Sequence, residues 1–303
     1  MCTKSPAPMA ATPNIPPFAF FGTPAFAATI LTRLAEAGAL PIAVVCNPDK
    51  PAGRKQILTK PPAKLVAEQH HIAVLQPRTI SELRNNSLLA RAELFVVAAY
   101  AKILPAWLLT QPRYGTIGVH PSLLPKLRGP TPIQTAILLG APATGVSIYQ
   151  LDDKTDHGPI LAQQRLSSYH PAHAATPSLT LQLAELGSTL LLQVLPQIAD
   201  GALVPQPQQE QAATFTQKFS SQDGYVPLAA LQHAIESGAG APELDRKIRA
   251  LNPEPGVYTL ARGKRIKLLE ASLDEKGRIR LVCIQKDGKT PQRNFEPFWK
   301  GKE

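Results

Sequence analysis

Cysteine is scarce in this 303-residue sequence, and the few thiols lie far apart. Cys2, Cys46 and Cys283 are odd in number and show no C-x-x-C spacing. A disulfide framework or a structural zinc site needs paired or closely spaced thiols, so the pattern argues against both. A reducing compartment fits this cysteine usage best. We therefore expect a cytoplasmic protein without a metal.

Long apolar runs are also missing, because Gly, Pro or charged residues interrupt the most hydrophobic stretches within about ten positions. No membrane span is expected. Residues 1–15 carry one lysine and no apolar stretch typical of a secretory signal, so we expect a loose N-terminal tail there. The 44% content of hydrophobic residues is nevertheless enough for a sizeable core.

The sequence lacks the common motifs of nucleotide and metal enzymes. The turn after the first apolar run reads Gly22-Thr-Pro-Ala-Phe26 and has no second or third glycine, which disfavours NAD binding. There is no P-loop and no H-E-x-x-H. The pair His70 and His71 lies at a predicted helix end that is expected to be exposed, which argues against a metal site there.

Acidic residues are outnumbered, with 32 Lys and Arg against 22 Asp and Glu. Half of the cationic residues lie in 211–303, and they are concentrated at Arg262, Lys264, Arg265 and Lys267. Such a cluster indicates either a solvated turn or a site for an acidic ligand. The charge of the whole chain fits a polyanionic partner or a basic soluble enzyme.

Short β-branched or aromatic runs alternate with helical patterns over the first two thirds of the chain. The runs predict strands at 18–21, 42–46, 94–99, 116–120 and 146–151, and helices at 24–37, 61–70, 79–91 and 131–139. This βαβα rhythm predicts a Rossmann-like, doubly wound and mostly parallel sheet. Ligands of such sheets bind beyond the carboxyl ends of the strands.

A second, smaller domain is expected after a long amphipathic helix at 176–199. Residues 204–210 have the polar, proline-bearing composition of a linker, so we predict domains at 16–203 and 211–303. The second contains a helix at 242–251 and strands at 256–260, 266–271 and 278–285. Short strands between glycine turns suggest a partly open, OB-like β-barrel.

Two polar residues follow apolar strands of the predicted sheet. His120 ends one strand, and Asp156 comes shortly after the next. A carboxylate beside an imidazole orients the ring and suits proton transfer near neutral pH. From spacing alone, the two are either a catalytic pair or strand-end polar residues with ordinary structural partners.

Five spaced segments in the first two thirds resemble methionyl-tRNA formyltransferases, and the likeness continues into two more. They are residues 20–26, 47–54, 97–105, 120–134 and 155–159, followed by 213–218 and 248–256. The resemblance implies transfer of a formyl group from 10-formyltetrahydrofolate to methionyl initiator tRNA in translation initiation. It also implies a Rossmann-like catalytic domain joined to an OB-like tRNA-binding domain. No protein partner is implied.

The resemblance assigns roles to residues by position. His120 and Asp156 are implied to be catalytic, and Gly118 stands where the family has an asparagine. The folate site is implied at Ala99, Tyr100, Ser122, Leu123, Leu124 and Pro125. Contacts to tRNA are expected from Lys50, Arg54, Lys55, Arg262, Lys264, Arg265 and Lys267.

Gly118 is the main departure, because the asparagine amide is expected to donate a hydrogen bond to the oxyanion. Removing one such donor typically costs about 10²–10³ in rate. A glycine leaves room for a water or for a side chain such as Gln134, Gln150 or His157. The alternatives are a formyltransferase for a sugar-nucleotide or other small amine, and an impaired relative that only binds folate or RNA.

Overall fold

A computed structural model describes residues 14–53 and 56–298 of the chain. The chain divides into two compact units. The first is drawn from Met1–Ile117 and Ser188–Pro205, and the second from Gly118–Gly187 and Gln206–Glu303. The predicted tail lies almost entirely outside the described residues. The predicted boundaries at 203 and 211 stay a prediction.

The strands and helices of the first 200 residues follow the predicted alternation. In chain order they are β1 (Phe18–Gly22), α1 (Ala25–Glu36), β2 (Ala43–Val45), β3 (Lys50–Ala52), β4 (Ile57–Thr59), α2 (Pro62–Gln69), β5 (Ala73–Leu75), β6 (Leu94–Ala98), α3 (Ala106–Leu109), β7 (Thr116–His120), α4 (Pro132–Leu138), β8 (Gly145–Gln150), β9 (Ile160–Arg165) and α5 (Thr176–Ala199).

Seven of these strands form one sheet in the order β5-β2-β1-β6-β7-β8-β9. β1 pairs in parallel with both β2 and β6, while the edge strand β9 is antiparallel to β8. The chain therefore moves outward from β1 to β5, returns to β6 and moves outward again. This confirms the doubly wound, mostly parallel sheet. All residues of β1 and β7 are buried, as expected for parallel strands covered on both faces.

The helix predicted at 79–91 is wrong. The segment forms two short 3-10 turns, Ile80–Leu83 and Leu89–Arg91, separated by five residues that include two asparagines. Asn85 adopts a left-handed φ of 60°, and the side-chain oxygen of Asn86 accepts hydrogen bonds from the backbone N–H groups of Leu88 and Leu89. Asparagine side chains compete in this way with the helical hydrogen-bond pattern.

Helix α5 has the bounds predicted from its amphipathic pattern. Among the described residues it is the one helix long and apolar enough to cross a membrane by length and composition, with a mean hydropathy of 1.2 in its best window. Half of that window is buried inside the protein. The core helix of a soluble protein passes the same test, so this property is weak evidence for a membrane span.

The C-terminal part contains α6 (Leu228–Glu236), α7 (Ala241–Leu251), β10 (Tyr258–Ala261), β11 (Lys264–Leu273) and β12 (Ile279–Lys286). The three strands form an antiparallel sheet with β11 in the centre, which confirms a β-rich C-terminal part. Helix α7 is fixed by Arg249, which pairs with Asp245 at 2.7 Å and also donates to the carbonyls of Pro171 and Ala174.

Candidate active site

Strand β7 brings His120 to the carboxyl edge of the sheet, as predicted. The ring is 6% exposed, and its Nε2 lies 2.9 Å from the carbonyl oxygen of Leu127. A carbonyl only accepts hydrogen bonds, so Nε2 carries a hydrogen in this arrangement. The other ring nitrogen, Nδ1, faces the carboxylate of Asp156, with 3.5 Å between Nδ1 and Oδ2. The two predicted catalytic residues are thus neighbours.

The carboxylate of Asp156 is held from two sides. Oδ2 accepts the backbone N–H of Gly129 at 2.6 Å, and Oδ1 accepts the hydroxyl of Tyr149 at 2.6 Å. Asp156 itself has a φ of 48°, a left-handed conformation that short polar residues tolerate better than most. Strained backbone of this kind concentrates at functional sites, where the surrounding structure enforces it.

Tyr149 of β8 was not among the predicted site residues. It is 6% exposed, and its ring lies edge-on to that of His120, with 6.3 Å between the centroids. Burial raises the pKa of Tyr149 well above its usual value of 10, and the negative charge of Asp156 raises it further. The phenol therefore stays protonated at neutral pH and acts as the donor to Asp156. An aromatic residue in a buried strand gives no sequence clue to this role.

Gly118 does not open free space, contrary to the expectation from the sequence. A Cβ atom placed there would lie 2.4 Å from Cε1 of Tyr149 and 2.8 Å from Cδ1 of Leu151. Both distances are far below van der Waals contact, so the tyrosine ring occupies the volume of a side chain at position 118. His157, one of the candidates to fill the gap, is instead bonded through Nδ1 to Asp152 at 2.5 Å.

A buried arginine behind the site was also missed. Arg128 is 2% exposed, and its guanidinium donates to Gln208 Oε1 at 2.8 and 3.0 Å and to the Glu210 carboxylate at 2.6 and 3.1 Å. The hydrogen bond from Arg128 is the main reason that the pKa of Glu210 is lowered. Gln208 in turn donates to the backbone carbonyls of Asp156 and Gly158. The segment predicted as a linker therefore braces the turn that carries Asp156.

Gly129 follows Arg128 in the chain and lies between Thr216 and the carboxylate of Asp156. Its φ is 110°, and an added Cβ would lie 2.8 Å from the hydroxyl of Thr216. Thr216 also bonds the backbone of Arg128 through its N–H and its hydroxyl, at 2.7 and 3.1 Å. Only glycine fits here, and the fit aims the Gly129 N–H at Asp156.

The predicted folate loop, residues 122–125, is ordered by its own hydrogen bonds. Ser122 is buried and donates to the carbonyl of Lys126 at 2.6 Å, and the Leu124–Pro125 peptide is cis. Ser147 of β8 donates to the Ser122 carbonyl at 2.7 Å and accepts the N–H of Leu124 at 3.0 Å. Leu123 is only partly buried. The loop is thus a fixed apolar wall in which the serine hydroxyl already has a partner.

Ala99 and Tyr100, the other predicted folate residues, belong to the first compact unit. Ala99 has a left-handed φ of 50°. The ring of Tyr100 packs edge-on to Phe21, and burial raises the pKa of its phenol to about 12. Among the described residues its buried hydroxyl has no hydrogen-bond partner, so it keeps a free donor.

The basic residues predicted to meet tRNA fall in two places. Lys50 is exposed on β3, and the neighbouring Arg54 and Lys55 lie outside the described residues. In the second unit, Arg262 and Lys264 are exposed at the turn between β10 and β11, with Lys267 exposed further along β11. Arg265 differs, because its guanidinium stacks over the ring of Tyr258 at 3.6 Å.

Comparison with known proteins decides the family. Residues 17–195 match the model of the formyl transferase family, and residues 232–293 match that of its C-terminal domain. The chain belongs to the formyl transferase family. It is 41% identical to the methionyl-tRNA formyltransferase of Chloroflexus aurantiacus over 84% of this chain and 79% of that one. The enzyme of the same name from Halorhodospira halophila is 40% identical over 78% and 74% of the two chains.

Solved formyl transferase structures share the fold at much lower identity. An N-formyltransferase from Helicobacter canadensis, in complex with folinic acid and dTDP-3-aminofucose, matches 85% of this chain and 87% of its own. Its TM-score is 0.58 and its sequence identity 19%. That likeness supports the fold alone. In the described part of this family member, no group of three or more His, Cys, Asp or Glu side chains could hold a metal ion.

Proposed function

We propose that this family member transfers the formyl group of 10-formyltetrahydrofolate to the α-amine of methionyl initiator tRNA in the cytoplasm. The observation that carries the proposal is the His120–Asp156 pair at the end of β7. This histidine–aspartate pair lies in a chain that is about 40% identical to relatives named methionyl-tRNA formyltransferase.

The reaction forms a bond between the amine nitrogen and the formyl carbon, and it breaks the bond from that carbon to the folate nitrogen. One proton must move from the attacking amine to the departing nitrogen. An imidazole can accept and return it, and the nearby Asp156 carboxylate stabilises the positive charge that the ring then carries. To serve a developing oxyanion, the Nε2–H of His120 would exchange its bond to the Leu127 carbonyl for one to the substrate.

Folate binding is assigned to the loop at 122–125, and the resemblance to the family adds Ala99 and Tyr100 as folate residues. Leu123, which is only partly buried, supplies apolar surface for the folate. For tRNA, the exposed cations Lys50, Arg262, Lys264 and Lys267, with Arg54 and Lys55, contact phosphates without reading sequence.

The test is a formylation assay with 10-formyltetrahydrofolate and two acceptors, methionyl initiator tRNA and a dTDP-linked amino sugar. We expect product only with the tRNA, and we expect tRNA affinity to fall steeply with salt. His120→Ala should abolish turnover, while His233→Ala, an exposed histidine of α6, serves as the matched control. Formylation of the sugar alone, or affinity for tRNA that is independent of salt, would overturn the assignment.

A further inference from the structure

The hydrogen bonds around Asp156 are divided between two donors of different kinds. A rigid backbone group, the N–H of Gly129, contacts Oδ2, which is also the oxygen nearest His120. A side chain, the phenol of Tyr149, contacts Oδ1. A carboxylate gripped at both oxygens cannot rotate about its Cβ–Cγ bond. The phenol and the Gly129 N–H together therefore fix the plane of the carboxylate that faces the histidine.

The phenol reaches Asp156 only because of the residue beside it on the next strand. β7 and β8 are neighbours in the sheet, and the ring of Tyr149 fills the space above Gly118. An added Cβ at position 118 would lie 2.4 Å from Cε1 and 2.8 Å from Cζ of that ring. Any larger residue at 118 would have to displace the ring, and its hydroxyl with it.

We propose that Tyr149 is a positioning residue for formyl transfer, and that Gly118 and Tyr149 form a matched pair in which the tyrosine ring takes the space of a side chain at position 118. The tyrosine O–H holds the Asp156 carboxylate with Oδ2 toward His120, and the glycine provides the room. This inference rests on the proposed function, because His120 and Asp156 are taken as the reacting pair. It explains how a site with glycine at 118 keeps an ordered carboxylate.

The direct test removes the hydroxyl and keeps the ring, in Tyr149→Phe. This variant loses the hydrogen bond from the phenol to the charged Asp156 carboxylate. Hydrogen bonds to charged groups are strong, and we expect this loss to lower kcat by about 10- to 100-fold. Because the variant leaves the substrate-binding surfaces unchanged, KM for tRNA and for the folate should stay within about two-fold of wild type. The matched control is Tyr169→Phe, which removes a buried phenol hydroxyl that has no hydrogen-bond partner among the described residues. A kcat of Tyr149→Phe equal to that of the control would overturn the proposal.

A swap tests the pairing. Tyr149→Leu removes both ring and hydroxyl, and its kcat should be at least as low as that of Tyr149→Phe. Adding Gly118→Asn to Tyr149→Leu places an amide in the vacated space and should recover part of the lost kcat. Gly118→Asn alone, with the ring still present, should lower both kcat and the melting temperature. A single Gly118→Asn variant that is faster than wild type would show that the ring does not occupy this space.

A third measurement needs no substrate. If the phenol holds the carboxylate, Tyr149→Phe lowers the melting temperature of wild type but not that of an Asp156→Ala variant. If Tyr149→Phe shifted the melting temperature equally in wild type and in Asp156→Ala, the proposal would be overturned, whichever molecule accepts the formyl group. Conversely, coupling between the two residues in a protein that does not formylate methionyl-tRNA would count against the proposed function only.

Discussion

Gly118→Ala adds a single methyl group at position 118. Whether this substitution stabilises or destabilises the protein shows whether the space above Gly118 is free or filled by the ring of Tyr149. Glycine inside a strand is usually less stable than alanine by about 0.5–1 kcal/mol, because glycine loses more backbone freedom on folding. If Gly118 were only a gap in β7, the alanine would stabilise the protein. The structure predicts the opposite, because the methyl carbon would lie 2.4 Å from Cε1 of Tyr149 and 2.8 Å from Cδ1 of Leu151.

The magnitude follows from the packing around that methyl group. Inserting a methyl group into a filled core costs about 1–3 kcal/mol, since neighbouring side chains are forced away from their preferred rotamers. Even after subtraction of the gain from losing a strand glycine, Gly118→Ala should destabilise the protein, by up to about 2 kcal/mol. In a domain of 150–250 residues each kcal/mol shifts the melting temperature by roughly 2–4 °C.

The assay is thermal unfolding of four proteins: wild type, Gly118→Ala, Tyr149→Leu and the double variant. We expect Gly118→Ala to melt several degrees below wild type. In the Tyr149→Leu background the ring is gone and only the close contact with Leu151 remains, so the same alanine should destabilise the protein less than it destabilises wild type. An alanine that raises the melting temperature of wild type would refute the reasoning, because the ring could then not occupy the space above Gly118.

Three further outcomes are expected. The lowered pKa of Glu210 means that its ion pair with Arg128 stabilises the fold above about pH 4.5, and that this contribution is lost as the pH falls through the lowered value. Wild type and Glu210→Gln should therefore converge in melting temperature as the pH is lowered below about 4.5, and a constant difference would contradict this. Replacing Arg128 with Met should lower the midpoint of urea unfolding, because the substitution removes the buried guanidinium that donates to Gln208 and Glu210; an unchanged midpoint would show that these hydrogen bonds do not stabilise the fold. Cys46 is buried, and desolvation raises the pKa of its thiol to about 11, so peptide mapping after iodoacetamide at pH 7 should find it unlabelled in the folded protein and labelled in urea.

The sheet was predictable from sequence because its strands are short, apolar and regularly spaced. β7 and α5 have the bounds that their patterns predict. His120 and Asp156 could be paired because each follows a buried strand, and the carboxyl ends of neighbouring parallel strands meet at one edge. These inferences need only local periodicity and the topology that it implies.

Other parts of the site depend on contacts that periodicity does not reveal. Arg128 meets Gln208 and Glu210 across about 80 residues of chain, in a stretch whose polar, proline-bearing composition is typical of a linker. Tyr149 occupies a strand position at which an aromatic residue ordinarily indicates core packing. The helix predicted around Asn86 was wrong for a local reason. The side-chain oxygen of Asn86 accepts hydrogen bonds from backbone N–H groups that a helix would use.

The contact between Gly118 and the ring of Tyr149 restricts the order in which the two residues could have been acquired. A tyrosine placed at 149 while a side chain still stood at 118 would meet its Cβ at 2.4 Å, well inside van der Waals contact, and such an intermediate would be selected against. Loss of the side chain at 118 first would leave only a small cavity, which proteins tolerate more readily than overlap of atoms. The tyrosine at 149 is therefore accommodated in this position only while position 118 is glycine. A side chain cannot be introduced at position 118 alone, without movement of the ring, for as long as Tyr149 is present.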